Sequence, residues 1–169
     1  MDFKLPMIKW IMGCVTSSSF VVLISGSCSE FFKPSRGLQQ GCSLFPYLFL
    51  LVVKGLGRTI LHTRRQGRIN GMSIGRNEHL THFLFMGDVL LFCLCSKEEG
   101  RQYKEILQLF NLVMGMEINM TNSIMCIPMV EAQLRNILER TFPFPTHDVS
   151  EGLKSLGYTI KPSNYGKDD

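Results

Sequence analysis

The chain contains one tryptophan, no Cys-x-x-C pair and no apolar run long enough to span a bilayer. No cysteine stands at zinc-type spacing from a histidine, which excludes the common structural zinc modules. The six cysteines, Cys14, Cys28, Cys42, Cys93, Cys95 and Cys126, are expected to be free, reduced and mostly buried. Cys93 and Cys95 should share one face of a strand and serve core packing. The longest apolar run, residues 44–53, is about half of a bilayer span and contains Pro46, so no membrane-crossing helix is expected. The apolar stretch 10–15 is short and broken by Gly13, which argues against a secretory signal and for an intracellular location of unknown compartment. No repeat or low-complexity tract is present. Acid is also missing locally: from Arg58 to Arg76 there are five arginines (Arg58, Arg64, Arg65, Arg68 and Arg76) and no Asp or Glu. That strip is either a face for a phosphate backbone or a solvated loop.

What is present suffices for a core. The chain has 169 residues, 45% of them hydrophobic, with 12 Phe and 10 Met. This length suits one domain, and the apolar richness points to surface that expects a partner or further chain. Net charge is +4, too mild to call for nucleic acid by itself. Pro6 followed by Ile8, Ile11, Met12 and Val15 has helical spacing, ended by residues 17–19. Residues 20–24 and Phe31-Phe32 flank Ser25-Gly26-Ser27 and predict a β-hairpin. A polar loop then leads to a helix marked by Leu48, Leu51, Val52, Leu56 and Ile60. Ser96 with Glu99 forms a capping-box pattern ahead of Tyr103, Ile106, Leu107, Phe110 and Met114, and Gly115 can close that helix. A strand at 124–127, a helix at 130–140 and a strand near 156–160 follow. The order predicts an α+β fold with helices covering one face of a mainly antiparallel sheet.

The segment FLFMGDVLLFCLC, residues 83–95, predicts a buried hairpin with Asp88 at its tip. Asp suits turn geometry, but a carboxylate held beside a sheet is also where a metal ion is bound. His79 and His82 point to opposite faces of an extended segment and make a poor ligand pair.

Several segments taken in order resemble one family. PSRGLQQGCSLFPYLF (34–49) is similar to the pattern P-S-R-G-L-R-Q-G-D-P-L-S-P-Y-L-F of reverse transcriptases from non-LTR (LINE-type) retrotransposons. KWIMGCVTSSSFVVLISGS resembles that family's helix leading into a hairpin. HLTHFLFMGDVLLF resembles H-L-x-F-A-D-D with its apolar strand, GMEINMTNS resembles G-L-x-I-N-x-x-K-S, and LKSLGYTIKPSNYGKDD resembles the primer-grip segment. The resemblance covers about residues 9–169 and implies a partial polymerase palm without the fingers, the first palm strand, or whatever follows the grip.

The resemblance also assigns roles. Arg36, Gly37, Gln40 and Gly41 match the loop that backs the incoming nucleotide and template base. Leu156 and Gly157 match the primer grip, and Arg58, Arg64, Arg65 and Arg68 become a nucleic-acid strip. The implied activity is RNA-directed DNA polymerisation with Mg²⁺, with RNA, DNA and the missing polymerase segments as implied partners. The family's catalytic aspartate pair is replaced by Gly87-Asp88, and Asp2 lies too close to the first helix to serve as the upstream acid. One of three expected carboxylates survives, leaving Asp88 a weak or vestigial metal ligand. Metal stabilisation is worth several kcal/mol at about 1.4 kcal/mol per decade, so its loss should remove roughly three or four decades of rate. Gln39, Cys42, Ser43, Phe45, Asn122 and Ser155 also depart from the pattern. The expectation is an inactive, degenerate fragment. A non-catalytic module binding nucleic acid or protein, or a remnant without biochemical role, are the alternatives.

Overall fold

The computed structural model describes residues 3–35, 43–76, 78–85, 88–155 and 158–160. The chain divides into two compact units, residues 1–51 and 52–169.

In the first unit, helix α1 (Leu5–Thr16) begins with Pro6 inside its first turn, where the missing N–H is no loss. It ends where hydroxyls compete for carbonyls: Thr16 Oγ1 donates to Met12 O at 2.8 Å and Ser17 Oγ to Cys14 O at 3.3 Å. Strands β1 (Leu23–Ile24) and β2 (Ser27–Cys28) pair antiparallel across Ser25 and Gly26. Both turn residues have positive φ, 49° and 84°, the geometry whose twist matches a two-residue hairpin. A Phe20–Phe32 bridge extends the ladder, with the rings 6.1 Å apart. No described residue of this unit is buried.

Helix α2 (Phe45–Arg65) runs from the first unit into the second, where Leu56, Gly57, Ile60 and Thr63 are buried. Their i, i+1, i+4, i+7 spacing places them on one face. Two antiparallel hairpins follow, β3 (Met72–Ile74) with β4 (Glu78–Leu80) and β5 (His82–Phe85) with β6 (Asp88–Leu91). Helix α3 (Lys97–Met114) is capped by Ser96 and closed by Gly115 at φ 62°. Strands β7 (Met125–Ile127) and β8 (Thr146–Asp148) are parallel, joined by helix α4 (Ala132–Thr141) as a parallel pair requires. After a 3-10 turn (Val149–Glu151), β9 (Leu153–Ser155) pairs with β10 (Tyr158–Ile160).

The core joins Leu56 and Ile60 of α2, Ile69, and Tyr103 and Ile106 of α3, with Leu84, Leu91, Leu107, Phe110 and Phe142 against it. Each such aliphatic side chain removed from water contributes about 2 kcal/mol.

The class is mixed α and β, as expected. The expected sheet is not one sheet: among the described residues the strands form five separate two-stranded ladders, four antiparallel and one parallel. Arg58, Arg64 and Arg65 lie in helix α2, whereas Arg68 and Arg76 lie in the connections that follow it, so the arginine strip is only partly loop. The thiols correct another expectation. Cys14, Cys28 and Cys93 are exposed, and Cys95 and Cys126 half-buried. Strand β6 stops at Leu91, so Cys93 and Cys95 stand beyond the ladder rather than on its core face.

Candidate functional site

Asp88 opens β6, facing Phe85 across the β5–β6 ladder. The side chains alternate across this hairpin. Leu84 and Leu91 pack on the core, while Phe83 and Phe85 on the other face are exposed at 47 and 44%. Val89, opposite Leu84, shares the core face but is 40% exposed toward the hairpin's tip. The hairpin is therefore buried on one face only, a correction to the expectation from its almost unbroken apolar sequence, and Asp88 is exposed.

Two residues of α3 fix this hairpin. The Tyr103 hydroxyl is 2.9 Å from both Thr81 O and Phe92 O, and it donates its single proton between two carbonyls that flank the open end of the ladder. Phe92 N–H also donates to Thr81 O at 2.9 Å. One turn earlier, Glu99 is only 3% exposed. Its Oε1 accepts from Asn70 N–H at 2.6 Å and its Oε2 from Leu94 N–H at 2.8 Å. A carboxylate tolerates burial when both oxygens are so used. The capping box is thus half made: Ser96 Oγ accepts from Glu99 N–H at 3.2 Å, but the Glu99 carboxylate ties the segment before β3 to the segment after β6. Sequence reasoning saw the box and missed these distant partners, because Asn70 lies 29 residues away.

The electrostatics here oppose nucleophilic chemistry. Cys93 is exposed as a residue, but the protein atoms around its sulfur desolvate the thiol and push it up to about 12, with Cys95 and Glu99 adding to the shift. Burial and then Glu99 also raise Cys95. Such thiols stay protonated near neutral pH and are poor nucleophiles. Burial raises the Tyr103 hydroxyl, Cys93 and Glu99 reinforce this, and Arg64 opposes it. Burial lowers His82 below 6.5. Its Nδ1 is 2.9 Å from Thr81 Oγ1. His79 lies on β4 and His82 on β5.

A divalent ion at Asp88 would need further oxygen donors. The donors do not fit: position 87 is glycine, and among the described residues no three His, Cys, Asp or Glu side chains are grouped so as to hold a metal. Gly87, the loop residues Arg36, Gly37, Gln40 and Gly41, and the grip residues Leu156 and Gly157 lie outside the described residues, as do Asp2, Gln39 and Cys42.

The arginines are placed. Arg58 and Arg65, seven apart on α2, share a face, and both are exposed, as are Arg68 and Arg76. Arg64 is half-buried. Gln66 Oε1 accepts from Arg68 Nε and Nη2 at 3.1 and 2.8 Å. Among the described residues the ion pairs are Arg101–Glu105, Arg135–Glu139 and His147–Glu151, none of which engages the strip. Among the described residues no helix is long and apolar enough to cross a membrane.

No family model matches the chain. The chain is similar to an uncharacterized mitochondrial protein of Arabidopsis thaliana, 37% identical over 67 residues. That match takes in 39% of this chain and 55% of the other, so the chain spans about half the length of the curated relative it matches.

Proposed function

We propose that the chain is a retrotransposon-derived, reverse-transcriptase-like palm fragment that does not polymerise nucleotides. The observation that carries this reading is the replacement of one member of the expected carboxylate pair by Gly87, within five segments that resemble the family in order. In-line nucleotide transfer depends on two cations held by converging carboxylates, and with glycine at position 87 the motif offers Asp88 alone. Primer extension on an RNA template, with Mg²⁺ from low to high millimolar concentration, should give no product above background. Extension that disappears in Asp88→Asn would overturn the proposal. Saturating Mg²⁺ should not raise the melting temperature, because an ion that does not bind the folded state cannot stabilise it.

A second reading rests on a separate observation, the exposed Arg58, Arg65, Arg68 and Arg76 of α2 and the segment after it, none of which joins an ion pair among the described residues. These would bind a nucleic-acid backbone without catalysis. If four arginines each contact one phosphate of duplex DNA, affinity should fall about a hundredfold between 50 and 200 mM salt. The double variant Arg58→Glu, Arg65→Glu should flatten that slope. No binding at low salt removes this reading and leaves the first intact.

A further inference from the structure

We draw no further inference here: the strongest candidate, the exposed apolar surface of the first unit formed by α1 and the β1–β2 hairpin with Trp10 and Phe31 outermost, carries none because nothing in the structure shows what covers it.

Discussion

A carboxylate taken out of water survives only where its charge is solvated by donors, and at Glu99 those donors are two main-chain N–H groups from opposite sides of the hairpin pair. Removing it strands both. Glu99→Ala should lower the unfolding free energy by about 2–4 kcal/mol. Glu99→Gln should cost less, since its amide oxygen can still accept from one donor; urea titration of both variants checks the order. His82 supplies a pH test. Its imidazole is depressed below 6.5 by burial, so above that value it is neutral in both states and contributes no pH dependence. As pH falls below 6.5 the unfolded chain takes up a proton that the folded chain resists, and stability drops until the folded-state value is reached. The melting temperature of wild type should therefore fall more between pH 7 and pH 5 than that of His82→Gln. Equal slopes would remove His82 as a source of the effect. Ser96 and Glu99 were legible as a local pattern because a cap acts over three residues. The partners of Glu99 were not, because only the tertiary fold brings Asn70 to it.

Helices left clearer traces than strands. The spacing of Tyr103, Ile106, Leu107 and Phe110, with Ser96 before and Gly115 after, located α3 closely because both caps and the apolar face agree. The β3–β4 hairpin was missed. Its strands have three residues each, too short for alternation to show, and its arginine-rich approach resembled solvated chain. What holds it is backbone proximity at Gly71. This residue has φ 77°, and a Cβ there would lie 2.5 Å from Leu80 O and 2.8 Å from Thr81 Cγ2. Gly71→Ala meets main chain that cannot swing aside, so it should destabilise by about 2 kcal/mol or more, whereas an alanine at the open Gly55 inside α2 should stabilise by roughly 0.5–1 kcal/mol. Tyr103→Phe probes the same region more gently. Thr81 O keeps its bond from Phe92 N–H, so the expected cost is about 1 kcal/mol, read from the denaturation midpoint. The continuous apolar run of β5 and β6 implied burial on both faces, yet one face carries exposed Phe83 and Phe85. Sequence encodes the affinity of a strand for cover and says nothing of whether cover is supplied.

At the scale of the whole chain, the two units differ in what can hold them. The residues that pack as a core all belong to the second unit, where α2 and α3 contribute facing apolar stripes and Tyr103 and Glu99 bind the hairpins to α3. In the first unit Leu5 and Trp10 of α1 are 71 and 74% exposed and Phe31 is 81% exposed. A 12-residue helix with no buried face draws little from packing, and isolated helices of that length are marginal in water. Local opening should then cost much less there than in the core. Hydrogen exchange on the full chain should find the slowest amides around Leu56, Ile60, Tyr103 and Ile106, while those of α1 exchange at least a hundredfold faster. An apolar-surface dye should fluoresce with the folded protein before any denaturant is added, because the exposed residues of α1 and of β1–β2 offer it contact. Protection in α1 equal to that in α3 would mean that α1 is covered in solution, and the low stability assigned to this unit would then be wrong.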